Sequence, residues 1–186
     1  MSDIEILKAL LQESARVALE TSAYDKTQVK LEEAEANYSI TIHQMPEEDE
    51  VVIFKPDILP PPTALFTNSK GEWKRSDFVI VANTQRQKVI ICIELKGGKG
   101  GSETEIKQQL MGARCLVAYC RAIGREFWQR PDFLEGYGYR FVSIREIKLN
   151  KKPTRTKAKS GLHDGVDRLL KITSPSHLTF KGLVGS

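Results

Sequence analysis

Asp77, Glu94 and Lys96 are spaced so that a single hairpin can bring two carboxylates and an ammonium together. They belong to the stretch Arg75-Ser-Asp-Phe-Val-Ile-Val-Ala-Asn-Thr-Gln-Arg-Gln-Lys-Val-Ile-Ile-Cys-Ile-Glu-Leu-Lys-Gly-Gly98. Within it, Phe78–Ala82 and Val89–Ile93 are short Val/Ile-rich runs, the composition of strands buried on both faces. An antiparallel hairpin turning at Gln85-Arg86 pairs residues whose numbers sum to 171, which sets Asp77 opposite Glu94. The two-residue period of a strand then brings Lys96 out on the face of Glu94. Charged groups beside a buried sheet are costly unless they have a use. Two carboxylates about 4 Å apart repel by ~4 kcal/mol at an effective dielectric near 20. A divalent cation removes that repulsion, and an all-oxygen site suits Mg²⁺ or Mn²⁺.

The elements that must position this trio can be read from the flanking pattern. Ser2 and Asp3 precede Ile4, Leu7, Leu10, Leu11, Ala15 and Ala18, which predicts an amphipathic helix to about Leu19. The charged stretch from Thr21 to Asn37 predicts a second helix or a continuation of the first. Tyr38–His43 alternates as a strand, and Val51–Phe54 is a second strand that would complete a hairpin with it. Leu59-Pro-Pro-Pro-Thr63 is a stiff spacer, and Asn68–Glu72 is a turn. After Gly97–Gly101, Ser102 caps a helix expected over Glu103–Ile123 and ended by Gly124. Its apolar stripe is Ile106, Leu110, Ala113, Val117 and Cys120, with Gln109 at the margin of the stripe and Gln108 pointing away. An aromatic loop, Phe127–Gly138, carries Trp128, Arg130 and Tyr137. A strand over Tyr139–Leu149 follows, then a basic loop, Lys151–Gly161, and two short closing elements at Val166–Ile172 and Leu178–Leu183.

The chain of 186 residues fits one domain: a helical part at 1–37, a core at 38–150 and a basic extension at 151–186. Net charge runs from −8 over residues 1–50, through +4 over 51–138, to +8 over 139–186, so the C-terminal part is suited to a polyanion. No apolar run is long enough for a membrane span, and the N-terminal residues lack the h-region expected of a signal peptide. Cys92, Cys115 and Cys120 lie in apolar runs without a CxxC pair, as expected of reduced core cysteines in a cytoplasmic protein. His43, His163 and His177 are isolated and show no metal-ligand spacing, with His163 expected in an exposed turn. The Gly97–Gly101 segment lacks the spacing of a nucleotide P-loop.

Asp77, then Glu94-Leu95-Lys96 after a hairpin, then a helix bearing Gln109-Leu110, resembles the PD-(D/E)xK nuclease superfamily, the restriction-endonuclease-like fold. The resemblance covers residues 75–123, with the flanking elements matching by order. Ser76 stands where the motif has proline, and the literal Pro56-Asp57 and Pro131-Asp132 pairs are expected to be decoys. The resemblance implies an α/β core, a central mixed sheet of four to five strands flanked by helices. It implies a metal held by Asp77, Glu94 and the Leu95 carbonyl, with Lys96 orienting the attacking water and Gln109 supporting the site. A further acidic ligand is expected from Glu20 or Glu35. The implied activity is Mg²⁺- or Mn²⁺-dependent phosphodiester hydrolysis. DNA is favoured over RNA, with a homodimer or a guiding partner where both strands are cut. Lys99, Arg130, Lys151, Lys152, Arg155, Lys157 and Lys159 are the candidate phosphate contacts. An inactive nucleic-acid- or protein-binding module on the same fold, and an RNase or nuclease toxin, are the alternatives.

Overall fold

The computed structural model describes residues 1–23, 25–33, 38–97, 101–146, 161–175 and 177–185. Helix α1 (Asp3–Leu10) opens on a capping box in which Ser2 and Glu5 satisfy each other's backbone N–H groups. It is shorter than its apolar pattern predicts. The Val17 N–H donates to the Ile53 carbonyl and the Lys55 N–H to the Ala15 carbonyl, both at 2.9 Å, so this stretch is drawn out alongside the later strand instead of coiling. Strands β1 (Glu20–Thr21) and β2 (Thr27–Glu33) replace the expected second helix. Glu and Ala favour a helix there, but Val29 and Leu31 alternate with exposed Lys30 and Glu32, and both apolar side chains are fully buried. Tertiary burial overrides local propensity.

Strands β3 (Tyr38–His43) and β4 (Val51–Phe54) lie where the pattern placed them, but they do not form a hairpin with each other. All four residues of β4 are buried, so the strand needs cover on both faces, whereas β3 alternates. The order continues with β5 (Phe78–Asn83), β6 (Lys88–Gly97), α2 (Glu103–Phe127), β7 (Gly138–Glu146), β8 (Leu170–Thr173), β9 (Leu178–Thr179) and α3 (Phe180–Val184). A five-stranded mixed sheet has the order β4-β5-β6-β7-β8, and a second, four-stranded mixed sheet has the order β1-β2-β3-β9. The α/β class and the central mixed sheet agree with the sequence reading; the second sheet is new.

The five-stranded sheet is the middle layer. On one face α1 and α2 bury Leu7, Leu110 and Val117 against Val79, Val81, Cys92 and Phe141. On the other, the smaller sheet and α3 bury Val29, Leu31, Ile42 and Leu183 against Ile80, Ile91 and Val142. This double cover is why β5 and β6 read as unbroken apolar runs. The β5–β6 register pairs Phe78 with Ile93 through Asn83 with Lys88, and each pair of numbers sums to 171.

Parallel pairing of β6 with β7 requires a crossover, which α2 provides. Helix α2 runs past Gly124, which is no terminator: a Cβ there would lie 2.1 Å from the Phe133 ring, so the glycine permits close packing within the helix. Cys92 and Cys120 are buried as expected, but Cys115 is exposed. The end of the expected strand to Leu149 and most of the basic loop lie outside the described residues.

Gly112 fixes how α2 meets the segment leading into β5. A Cβ at this position would lie 1.8 Å from the Lys74 carbonyl oxygen, whereas one at Gly165 would meet nothing within 4 Å. Gly112→Ala is therefore expected to destabilise the fold by about 1–3 kcal/mol, and Gly165→Ala by far less. Urea unfolding of the two variants checks this; equal midpoints would contradict the packing assigned to Gly112.

Candidate functional site

Asp77 precedes β5 and stands where the register points across to Glu94. Its Oδ2 accepts a hydrogen bond from the Leu95 N–H at 2.6 Å, a buried side-chain-to-backbone bond that ties the start of β5 to the end of β6. Glu94 and Lys96 follow Ile90 and Cys92 on the face covered by α2, as a two-residue period requires. The Lys96 Nζ sits 2.6 Å from the Glu94 Oε1, with Glu94 fully buried and Lys96 half-buried. That contact is an ion pair of poor alignment: the Lys96 ammonium and the Asp77 N–H both approach the Glu94 carboxylate, but neither makes a hydrogen bond of good geometry with it. The three groups proposed from sequence are thus brought together.

Two further carboxylates lie beside Asp77. Oxygens of Glu33, Asp57 and Asp77 all lie within 4.8 Å of one another. Glu33 closes β2 on its inward face, after Val29 and Leu31. Asp57 sits in the 3-10 turn Pro56–Ile58 that follows β4, which runs antiparallel to β5 and so delivers it beside Asp77. The Pro56-Asp57 pair is therefore no decoy in space, although β5 and not this segment is the hairpin partner of β6. Only the two-residue period of residues 29–33 could have pointed to Glu33, and a helical reading of that stretch hid it.

The electrostatics follow from burial and crowding. Burial, with Glu33 and Asp57 adding to it, pushes the Asp77 carboxyl up to about 7, against the opposing pull of the Leu95 N–H and Lys96. Burial first, and then Asp77, pushes Glu94 up to about 8; the Lys96 ammonium opposes this and loses. Asp57 is raised by burial and by Glu33. Burial tends to discharge Lys96, but the contact with Glu94 outweighs it and the net shift is upward. Buried carboxylates in this state either hold protons or hold a cation.

The other candidates are placed differently. Glu20 lies exposed on β1, opposite Gln28, and its charge acts on outward-facing Lys30 rather than on Asp77. Glu35, Lys99, Lys151, Lys152, Arg155, Lys157 and Lys159 lie outside the described residues. Gln109 is half-buried on α2 beside buried Leu110, and its side-chain oxygen is buried without a partner. Gln108 turns outward and donates to the Lys70 carbonyl at 2.9 Å. Arg130 is held by the Met1 carbonyl and Asp132. The crossover returns the chain to the start of β6, where Gly138 pairs with Val89, while Lys96 lies roughly 23 Å farther along the strand at about 3.3 Å per residue. Arg130 thus belongs to the opposite end of the sheet from the carboxylates. Trp128, Tyr137 and Tyr139 pack against the helix-side core. His163 is buried, not in an exposed turn, with Nε2 2.6 Å from the Leu183 carbonyl. His43 and His177 are not isolated but stack on each other.

Comparison with protein-family models, with curated proteins and with solved structures gives no match.

Both Asp77 and Glu94 bind protons more tightly in the folded chain than at their unfolded values near 4. Their contribution to stability is therefore fully present below about pH 4 and is lost as pH rises through about 7 to 8. In chelator, the stability difference between wild type and Asp77→Asn is expected to move in favour of the variant by a few kcal/mol between pH 5 and pH 8.5. Urea unfolding across that range measures it, and parallel pH profiles would contradict the assignment.

Proposed function

We propose that this chain is a Mg²⁺-dependent nuclease that hydrolyses phosphodiester bonds, with DNA the preferred substrate. The observation that carries the reading is the fully buried Glu94 carboxylate, without a hydrogen bond of good geometry, beside Asp77 and Lys96. A buried acid left in this state costs stability, and a structure keeps such a group where it serves a site. The order α1, then antiparallel β4-β5-β6, then α2 and parallel β7 supports the resemblance to the PD-(D/E)xK superfamily, with β1–β3 intervening.

The donor set fits a hard divalent cation. Asp77 and Glu94 supply carboxylate oxygens, and Glu33 and Asp57 crowd further oxygens around Asp77. The two backbone groups of a strand residue point toward the same neighbour, so the Leu95 carbonyl faces the β5 side as its N–H does. Bound there, the cation would polarise a phosphoryl oxygen and lower the pKa of a coordinated water. Lys96 is charged and half-buried, so it can donate to the attacking water or to a non-bridging phosphate oxygen. The Leu95 N–H holds the Asp77 carboxylate in place throughout. On this reading Glu33 and Asp57 are further acidic ligands, whereas Glu20 lies exposed on β1.

The competing reading is a binding module on the same fold, and the 2.6 Å Lys96–Glu94 contact is what favours it. Cleavage of plasmid and oligonucleotide substrates in Mg²⁺ separates the two. Asp77→Ala and Lys96→Ala are each expected to lower the rate by on the order of 100-fold; equal rates for wild type and variants would overturn the nuclease reading. Mn²⁺ titration calorimetry tests the enlarged donor set: Glu33→Gln and Asp57→Asn should each weaken binding by about ten-fold, within the range seen when groups around a metal are removed. Unchanged Mn²⁺ affinity in both variants would return them to the role of surface acids.

A further inference from the structure

A cleft begins one strand pair away from the acidic cluster, at Tyr38. Glu33 pairs across the small sheet with Tyr38, the first residue of β3. From Tyr38 the cleft, of about 490 Å³, runs along β3 past Thr41 to His43 and His177. Such a volume is ordinary for a small-molecule site. β9 pairs with β3 only at Ile42 and His43, so the earlier part of the β3 edge faces the cleft. Glu146 lines the same cleft from the end of β7, where it pairs with Gly97, at the end of the central sheet that carries Lys96.

Two features of this cleft point to a flat, nitrogen-rich ligand. The His43 and His177 rings stack with centroids 4.9 Å apart and planes 15° from parallel, and His177 is exposed. A parallel pair of imidazoles with one exposed member is a platform on which a further planar ring can stack. Glu146 adds a carboxylate, which when ionised only accepts hydrogen bonds and therefore selects a ligand edge carrying N–H donors. Among the described residues the two histidines form no metal-binding group with Glu146, so the pair is not accounted for by a metal.

We propose that this cleft binds one unpaired nucleobase of the substrate strand, stacked on the His43–His177 pair, with Glu146 accepting N–H donors from the base's Watson–Crick edge. Guanine fits best, because its N1–H and 2-amino group lie side by side. The inference rests on the nuclease reading and narrows it to single-stranded or locally opened nucleic acid, since a Watson–Crick edge is available only there. Tyr38 to His43 spans roughly 17 Å at about 3.3 Å per residue. At the stacked rise of about 3.4 Å per nucleotide, the recognised base lies within about five nucleotides of the cut.

Fluorescence anisotropy in chelator, with labelled ten-nucleotide oligothymidylate and the same strand carrying one central guanine, tests binding apart from catalysis. Wild type should bind the guanine strand roughly ten-fold more tightly, in the range of one base–ring stack. His177→Ala should lose that preference and His177→Phe, which keeps a flat ring, should retain it; Glu146→Gln should bind both strands alike. A His177→Ala variant that keeps the full preference, or a His177→Phe variant as weak as His177→Ala, overturns the cleft assignment. The two claims fail separately. Guanine preference without any Mg²⁺-dependent cleavage would remove the catalytic reading alone. Cleavage whose position ignores guanine and both residues would remove the cleft alone.

Discussion

The hydrogen bond from the Leu95 N–H to the Asp77 carboxylate, at 2.6 Å, is the contact on which the candidate site depends. It is made just before β5 begins, where β6 continues past the last β5 pair, so a side chain takes over from the ladder. A buried N–H must find an acceptor, and Asp77 provides it. The same bond fixes the carboxylate against the one strand that also carries Glu94 and Lys96. Without it, Asp77 would belong to a loop; with it, Asp77 belongs to the sheet.

Burial then does the chemistry's preparation. The central sheet is covered on both faces, and its side chains from Phe78 to Ala82 and from Val89 to Leu95 are almost wholly removed from water. Carboxylates placed at the end of such a sheet cannot be fully hydrated, and Asp77 and Glu94 respond by holding protons more tightly. Asp77, before β5, is the common member of two contacts: its carboxylate groups with Glu33 from the smaller sheet and Asp57 from the turn after β4, and it acts on Glu94 of β6. Lys96 brings an ammonium into direct contact with Glu94. A local excess of negative charge in a dry setting is the electrostatic demand that a divalent cation meets. The packing of α2 holds this arrangement through small residues and tethers: Gly112 lets the helix lie on the Lys74 backbone, and Lys74 pairs with Glu105 at 3.0 Å.

What was legible in the sequence is what local pattern encodes. The Val/Ile runs at 78–82 and 89–93, with six polar residues between them, suggest the register, and the register carries Asp77, Glu94 and Lys96 to one place. Ser102 as a cap and the stripe from Ile106 to Cys120 are likewise local, and the helix follows them. The misreadings share one physical origin: they involve segments whose state is decided by distant partners. Residues 27–33 are rich in helix formers, yet Val29 and Leu31 are claimed by the face of the central sheet. Ala15 and Val17 give up a helix because Ile53 and Lys55 offer backbone pairing. Because β2 was hidden, so was Glu33, and because β3 and β4 seemed to be partners, Asp57 had no route to Asp77. The stacked histidines, 134 positions apart in the chain, are brought together by the parallel contact of β3 with β9, which no spacing rule anticipates.

The central claim is that these carboxylates form one divalent-cation site. A crystal of the protein soaked in Mn²⁺, with data collected to give the manganese anomalous signal, tests it without reference to turnover. The account predicts a peak within about 2.3 Å of oxygens from both Asp77 and Glu94, a distance suited to hard-cation ligation, with Glu33 or Asp57 close by. The peak should vanish in Asp77→Asn. A fully soaked crystal with no peak among these residues, or with the Lys96–Glu94 ion pair intact and manganese bound elsewhere, would contradict it.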